Sequence, residues 1–254
     1  MKKHLYIVTG TSRGLGLALA QQLLLQGGYL LGIARHTHAG LTELAQQQNC
    51  TLEQWPRDLA DSTTLANELH SWLEHLNPSD FFSITLINNA GVIPALQALS
   101  AIAPTELAHA LRVNLEAPML LTASFLNATQ DMPIPRKVLN ISSGLGRRPM
   151  ASQSAYCAAK AGLDHFTRCL ALDEARNSNA AKVCSLAPGV IDTDMQTQLR
   201  NSSPDAFPDQ GNFEQLYLNG QLSSANSAAN QVLTWLHHPN FGQQVIADVR
   251  TPQA

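Results

Sequence analysis

The chain is poor in charge, in cysteine and in long apolar runs, and each shortage excludes a class of protein. Charged residues make up 14% of the 254 residues, and only five of the sixteen basic ones are lysine. A net charge of -3 with no basic stripe argues against nucleic acid as a partner. The first apolar run, residues 5–8, is too short for a signal peptide or a membrane span, so we expect a cytoplasmic protein that does not enter membranes.

The four cysteines and nine histidines lack the spacings of a disulfide framework or a metal site. The sequence contains no C-x-x-C pair and no H-E-x-x-H or similar histidine set. We therefore expect reduced thiols that pack as small apolar groups, and no bound metal. The hydrophobic share of 44% indicates a globular chain with a substantial core.

Short apolar runs alternate with amphipathic stretches along the whole chain. The predicted strands span residues 4–9, 29–34, 51–55, 84–87, 137–141, 183–186 and 245–249. The predicted helices span residues 17–26, 41–48, 65–76, 104–126 (in two pieces around Pro118), 152–175 and 223–237. Without a linker or repeat, this alternation predicts one α/β domain over 1–254, a doubly wound parallel seven-stranded sheet with helices on both faces. The polar, irregular segment 193–220 predicts a substrate lid.

A glycine-rich turn follows the first predicted strand and precedes the first helix. Residues 9–16 read TGTSRGLG, with the spacing G-x-x-x-G-x-G. A helix that begins in this way can bind a phosphate on its free amides. Gly10 would make the turn, while Gly14 and Gly16 would let a dinucleotide approach the backbone. The spacing is neither G-x-G-x-x-G nor a P-loop, and tight packing alone would also explain it.

The end of the second predicted strand distinguishes between two nicotinamide cofactors. An NAD-binding unit places an acid about 20 residues after the glycines, to hold the ribose 2′-hydroxyl. Here residues 34–36 read Ala-Arg-His, with no acid. Arg35 could instead pair with a 2′-phosphate, and Arg13 in the glycine turn could reach the same phosphate. Two surface arginines are the alternative, but with the acid missing the pair favours NADP.

Further polar positions lie at the ends of apolar runs or inside them. Asp58, beside Leu59, follows the third strand, where it could reach an adenine edge; capping the next helix is an equally good use of Asp58 or Asp61. The small residues 88–91, Asn-Asn-Ala-Gly, would let a flat ligand lie across the sheet. Asn114 interrupts an apolar segment and needs a partner, either a kinked backbone or a water in a proton relay.

Tyr156 and Lys160 are the candidate acid–base pair. Four residues apart, they lie one turn apart on the same helix face. An ammonium beside a phenol favours the phenolate, and so we expect it to lower the tyrosine pKa toward working pH. Such a tyrosine can give a proton to an oxygen while hydride reaches the neighbouring carbon. An ordinary helix with a half-buried tyrosine is the alternative.

Together these motifs resemble the short-chain dehydrogenase/reductase family. The matching positions are residues 9–16, 88–91, Asn114, Ser143, Tyr156, Lys160 and the Pro-Gly-x-x-x-Thr of 188–193. Within the family, the stretches 140–143, 156–160, 170–174 and 187–196 are most similar to sepiapterin reductases and bacterial benzil reductases. The resemblance implies a Rossmann domain and a homodimer formed through the helices near 104–126 and 152–175, with a tetramer as the alternative.

The resemblance also implies a role for each catalytic residue. Tyr156 would donate the proton, and Lys160 would lower its pKa and hold the nicotinamide ribose. Ser143 would hydrogen-bond the substrate oxygen, with Ser142 as a rival that the spacing to the tyrosine disfavours. Asn114 would hold the water that relays protons to Lys160.

The implied cofactor is NADP(H), and the residues that would contact it follow the strands. They are Gly10, Ser12, Arg13, Gly14, Leu15, Gly16, Arg35, Asp58, Leu59, Asn89, Ala90, Gly91, Tyr156, Lys160, Pro188, Gly189, Val190 and Thr193.

Candidates for an apolar substrate wall, for which core packing is the alternative, are Leu145, Met150, Leu199, Phe213 and Tyr217. Sepiapterin reductases anchor the pterin with an acid in the last strand, where this chain has Ile246. Asp248, on the same strand face, could substitute.

These residues predict an NADPH-dependent carbonyl reductase that converts a ketone or vicinal diketone, sepiapterin-like or benzil-like, to a hydroxy compound. A short-chain alcohol dehydrogenase with an unrelated substrate is one alternative. A non-catalytic NADP-sensing regulator and a partner-binding protein are two others. The presence of all four catalytic residues favours an enzyme.

Overall fold

Seven parallel strands form one sheet in the computed structural model, which describes residues 2–251. The strands are β1 (Lys3–Thr9), β2 (Tyr29–Ala34), β3 (Leu52–Pro56), β4 (Phe81–Asn88), β5 (Arg136–Ile141), β6 (Lys182–Ala187) and β7 (Ile246–Asp248). They lie in the order β3-β2-β1-β4-β5-β6-β7, and every neighbouring pair is parallel. The chain therefore winds outward twice from the centre, and the direction reverses between β1 and β4.

Helices cover both faces of this sheet. They are α1 (Gly14–Leu25), α2 (Ala39–Gln47), α3 (Ser62–Glu74), α4 (Pro104–Leu111), α5 (Ala117–Thr129), α6 (Ser154–Glu174), α7 (Asp194–Arg200), α8 (Gln210–Leu218) and α9 (Ala225–His237). Apolar residues of α1, α2 and α9 pack on one face, and those of α3, α5 and α6 on the other. A strand with helices on both faces of the sheet has no exposed side. In β1, every residue from Leu5 to Thr9 is buried. The predicted doubly wound α/β fold is confirmed.

The predicted break in the helix over 104–126 lies just before Pro118. A π-helical turn, Arg112–Glu116, joins α4 directly to α5, and Pro118 occupies the first turn of α5. A proline cannot donate to the carbonyl four residues earlier, which here belongs to Asn114. A wider turn at this point accommodates the missing hydrogen bond.

The predicted irregular lid, 193–220, contains two helices, so that prediction was wrong in its local structure. Helices α7 and α8 form because their apolar side chains reach a common cluster: Leu199 and Phe213 pack against the fully buried Phe207. Helix α1 also starts earlier than predicted, at Gly14, because the glycine turn runs directly into it. In the part of the chain that the structure describes, no helix combines the length and hydropathy needed to span a bilayer.

A buried ion pair ties the end of α6 to β5. The Arg136 Nη2 atom lies 3.5 Å from Glu174 Oε2, and both side chains are less than a tenth exposed. The same carboxylate oxygen accepts a hydrogen bond from the Ala181 amide at 2.6 Å. Because a buried charge without its partner is strongly unfavourable, this pair holds the C-terminal end of α6 against the sheet.

Candidate active site

The residues predicted to bind a cofactor gather at one edge of the sheet. All strands are parallel, and so their carboxyl ends share that edge. The glycine turn follows β1, Arg35 follows β2, Asp58 follows β3, residues 89–91 follow β4 and residues 188–193 follow β6. Sequence-distant residues thus lie at one edge of the sheet, which includes the point where the winding reverses.

The glycine turn packs so closely that only glycine fits at its third position. Gly10 has a φ of 78°, in the left-handed region. A Cβ atom on Gly16 would lie 2.1 Å from the Gly10 carbonyl oxygen and 2.4 Å from Asn89 Nδ2. The Thr9 hydroxyl accepts hydrogen bonds from the Asn89 and Ala90 amides, each at 3.0 Å. These contacts hold the turn in close packing against the loop after β4.

The two arginines that could bind a 2′-phosphate differ in their surroundings. Arg35 is exposed, and its side chain has no ion pair or hydrogen bond within residues 2–251. Arg13 instead pairs with Asp194 at the start of α7, with 2.5 Å from Nη1 to Oδ2. Arg35 is therefore the available cation, whereas Arg13 links the glycine turn to α7.

Asp58 does not cap α3, which corrects one of its two predicted uses. Its Oδ1 atom accepts a hydrogen bond from the Ala60 amide at 2.9 Å, within a local turn. Asp61 occupies the N-cap position of α3, but its side chain makes no capping hydrogen bond. Asp58 is exposed at this edge of the sheet, and its contact with an adenine stays a prediction.

Helix α6 carries Tyr156 and Lys160 under the same edge, as the four-residue spacing predicts. The Lys160 Nζ atom lies 5.7 Å from the centroid of the tyrosine ring. It donates a hydrogen bond to the carbonyl oxygen of Ile141, the last residue of β5, at 2.8 Å. Both side chains are buried, with 7% of Tyr156 and 4% of Lys160 exposed.

At the Tyr156 phenol, burial outweighs any effect of the Lys160 ammonium. Burial also dominates the pKa of Lys160 itself. It raises the pKa of Tyr156 to about 12, although a hydrogen bond from Ser143 acts in the opposite direction. Burial also lowers the pKa of Lys160 to about 8, against the attraction of Asp164. The expectation that the ammonium brings the phenol pKa toward neutrality was therefore wrong, because desolvation penalises each charged form. Tyr156 keeps its proton across the neutral range.

The structure also separates the two candidate serines. The Ser143 hydroxyl is a hydrogen-bond partner of the Tyr156 side chain and accepts a hydrogen bond from the Leu145 amide at 3.1 Å. Ser142 is buried, and its hydroxyl donates to Asp164 Oδ1 at 2.6 Å. Ser143 is therefore the serine that lies beside the phenol, as the spacing predicts.

Asn114 finds its partner in the backbone of the loop after β4. Its Nδ2 atom donates to the Val92 carbonyl at 2.8 Å, and its Oδ1 atom accepts from the Val92 amide at 2.9 Å. A Cβ atom on Gly91 would lie 3.1 Å from Asn114 Oδ1 and 3.9 Å from Lys160 Nζ. Asn114 thus lies close to the lysine, and its part in a proton relay stays a prediction.

The predicted substrate residues only partly come together. Met150, Leu199 and Phe213 join an apolar cluster with Leu96 and Phe207, two members that sequence reasoning missed. Leu145 lies in the short turn after Ser143. Tyr217 is 48% exposed and stacks under the guanidinium of Arg200 at 4.1 Å, outside this cluster.

Asp248 is already paired within the chain. Its carboxylate accepts hydrogen bonds from Arg250 Nε at 2.8 Å and Arg250 Nη2 at 2.6 Å. These bonds hold the pKa of Asp248 below its ordinary value. The predicted use of this acid to anchor a pterin loses support, because a ligand amine would have to compete with a bidentate guanidinium.

Comparison with known proteins identifies the family to which this chain belongs. The family model described as short chain dehydrogenase matches residues 4–204, from the first strand into the lid. The chain belongs to the short chain dehydrogenase family. The members of this family are oxidoreductases. The chain has the α/β architecture described above, with helices on both faces of a parallel sheet.

Three relatives illustrate the range of similarity. A benzil reductase of Bacillus cereus, described as forming (S)-benzoin, is 35% identical over 93% of this chain and 95% of its own length. A sepiapterin reductase of Meriones unguiculatus is 32% identical, covering 92% of each chain. The crystal structure of the KRED1-Pglu enzyme superposes with a TM-score of 0.77 at 27% identity, over 96% of this chain and 99% of that one.

This short chain dehydrogenase also contains a buried acid that sequence reasoning missed. Asp164 is 1% exposed and lies four residues after Lys160 on α6. Its Oδ1 atom accepts from the Ser142 and Ser185 hydroxyls, each at 2.6 Å, and its Oδ2 atom from Arg147 Nε at 3.3 Å. The spacing of four that identified the Tyr156–Lys160 pair, continued by one turn, would have found it.

A second missed residue is Gln153, which precedes Tyr156 by three positions. It is 1% exposed, and neither amide atom has a hydrogen-bond partner within residues 2–251. The preceding Ser152 has a φ of 60°, and its hydroxyl donates to the lid carbonyl of Ala206 at 2.6 Å. A strained backbone and an unpaired buried amide beside the candidate proton donor are features that functional sites retain.

Proposed function

We propose that this protein is an NADPH-dependent carbonyl reductase that converts a ketone or vicinal diketone to a hydroxy compound. One observation carries the proposal: the buried Tyr156 lies beside Ser143 and Lys160 at the edge of the sheet where the glycine turn ends. Burial keeps the proton on this phenol at neutral pH, as a group that donates a proton to a carbonyl oxygen requires.

The residues present fit a phosphorylated dinucleotide. The glycine turn brings the backbone to this edge of the sheet, where a Cβ atom on Gly16 would collide with its surroundings. The amides at the start of α1 would hold a phosphate. Arg35, exposed and unpaired within residues 2–251, supports the choice of NADP over NAD.

The chain's own groups would stabilise the developing alkoxide. NADPH, when bound, supplies the hydride. Ser143 and Tyr156 would hold the carbonyl oxygen, and the phenol would transfer its proton as negative charge develops. Lys160, protonated below a pKa of about 8, would then stabilise the phenolate left behind. Asn114 would keep the loop after β4 in place through its two bonds to Val92.

Among carbonyl compounds, a vicinal diketone is favoured over a pterin. The chain is similar to a benzil reductase and to a sepiapterin reductase, whose names give a vicinal diketone and a pterin as their respective substrates. In this chain Asp248 is bound by Arg250, whereas Met150, Leu199 and Phe213 form an apolar cluster in and beside the lid. Apolar walls suit the rings of a compound like benzil.

The decisive experiment follows NADPH absorbance with benzil, sepiapterin and a simple ketone. We expect the highest kcat/KM with benzil, and we expect Tyr156→Phe to abolish turnover while NADPH binding, followed by fluorescence, is retained. Tyr217→Phe, at an exposed tyrosine, is the matched control and should keep full activity. Near-normal turnover by Tyr156→Phe would exclude this mechanism, and NADPH binding by the wild type without any turnover would indicate the regulator instead.

The choice of cofactor is tested separately. Arg35→Ala should raise the KM for NADPH about tenfold or more and leave the KM for NADH unchanged, because only NADPH carries the 2′-phosphate. Arg168→Ala, at an exposed arginine of α6, should change neither value. An equal effect of Arg35→Ala on both cofactors would refute the role of Arg35.

We also propose that the enzyme is a homodimer through α5 and α6. Both helices carry exposed apolar side chains, Met119 at 39% and Leu172 at 72% exposure. Sedimentation of the wild type and of a Leu172→Glu variant would test this arrangement: the variant should sediment as a smaller species. A cytoplasmic location stays a prediction.

A further inference from the structure

The mechanism proposed above leaves a buried acid on the helix of Lys160 unused. Asp164 is 1% exposed, and four residues separate it from Lys160 on α6. Hydroxyls from two neighbouring strands bind its Oδ1 atom: Ser142 directly after β5 and Ser185 within β6. A carboxylate with two hydroxyl donors and a guanidinium partner is held at a fixed position.

Charges of alternating sign lead from Lys160 to the last strand. Arg147 donates to Asp164 from one side, and its Nη1 atom lies 4.0 Å from Asp248 Oδ2 on the other. Arg147 also donates to the Ala247 carbonyl at 2.7 Å, which fixes it against β7. The titratable or charged groups around Asp164 are Tyr156 and Lys160 on α6, Cys184 on β6, Arg147 in the loop before α6, and Asp248 and Arg250 at β7.

We propose that Asp164 is a positioning residue of the reductase that keeps Lys160 protonated at working pH, an inference that rests on the proposed function. Lys160 donates to a neutral carbonyl, that of Ile141. Among residues 2–251, no carboxylate lies within 4.0 Å of its ammonium. Without the negative charge one turn away, a buried lysine would lose its proton more readily.

The same geometry keeps Ser142 away from the phenol. The hydroxyl of Ser142 is bound to Asp164, while the carbonyl of the preceding residue, Ile141, accepts from Lys160. Asp164 and Lys160 thus hold adjacent residues at the end of β5, and Ser143 follows directly. Asp164 therefore acts on the site both through charge and through the placement of this strand end.

Arg147 offers a second test of the inference, because its replacement should shift the deprotonation of Lys160 in the opposite direction to replacement of Asp164. Its positive charge offsets part of the field of Asp164, and a third of its side chain is exposed. Arg147→Met should leave Asp164 less compensated, so that Lys160 holds its proton to a higher pH. Asp164→Asn should have the reverse effect. Arg168→Ala, which removes an exposed charge of the same helix, is the control.

The experiment measures kcat/KM for NADPH-dependent reduction of benzil from pH 6 to 10. Reduction needs a protonated Lys160, and we expect the wild-type rate to fall as pH rises through about 8. In Asp164→Asn this fall should occur about one pH unit lower, a loss of about fivefold at pH 8 but under about twofold at pH 6. In Arg147→Met the fall should occur at a higher pH, and in Arg168→Ala its position should not change.

Each outcome supports or overturns the inference. A uniform loss at every pH in Asp164→Asn, or a shift of the same sign in both charge variants, would show a merely structural role and overturn it. Thermal melting checks folding, and Arg147→Met keeps the test available if Asp164→Asn does not fold. Direct titration of Lys160 by NMR of ε-labelled lysine needs no turnover, so a wild type that fails to reduce benzil would refute the proposed function alone.

Discussion

Gly16→Ala should damage both the fold and cofactor binding. The added Cβ atom would lie 2.1 Å from the Gly10 carbonyl oxygen and 2.4 Å from Asn89 Nδ2, where ordinary contact begins at 3.4 Å. The first of these neighbours is backbone and cannot rotate away. Either α1 moves outward by about 1 Å or more, or the glycine turn opens.

The size of the effect follows from this clash. Overpacking of a tight site destabilises a protein by about 1–3 kcal/mol. For a chain of this length, each kcal/mol lowers Tm by roughly 2–4 °C. The same movement displaces the amides at the start of α1 that would hold the phosphates, so we expect NADPH affinity to fall about tenfold or more.

Thermal melting and NADPH fluorescence titration measure the two effects. Gly211→Ala is the matched control: a Cβ atom there would meet no heavy atom within 4 Å in the described part of the chain, apart from its own helix and chain neighbours. It should melt at or slightly above the wild-type temperature and bind NADPH normally. A Gly16→Ala protein that matches this control in both assays would refute the close packing of the turn.

Three further predictions concern other parts of the molecule. Gln153→Met should lower benzil turnover without lowering Tm, because the amide it replaces is buried and unpaired within residues 2–251; a lower Tm would contradict this. Glu174→Gln should lower Tm by roughly 6–12 °C in calorimetry, since it leaves Arg136 buried without its counter-charge. Asp248→Asn should leave the benzil-to-sepiapterin activity ratio unchanged, because Arg250 already occupies that carboxylate, and a selective loss with sepiapterin would restore the pterin-anchor hypothesis.

The order of strands and helices, the glycine turn and the pairing of Tyr156 with Lys160 could all be predicted from the sequence. Each depends on local spacing: burial on both faces makes a strand continuously apolar, and a separation of four residues places two side chains on one helix face. The choice of Ser143 over Ser142 also followed from spacing. Helices α7 and α8 were missed because packing on Phe207, and not a local pattern, stabilises them.

Only the tertiary structure decided the electrostatics of the site. The sequence by itself suggested that Lys160 lowers the pKa of Tyr156, but burial by distant segments raises it. It could not show that Arg13 pairs with Asp194, or that Arg147 reaches Asp164 across the end of the sheet. Desolvation and charge pairing are sums over neighbours remote in the chain, whereas periodicity and spacing are properties of the chain itself.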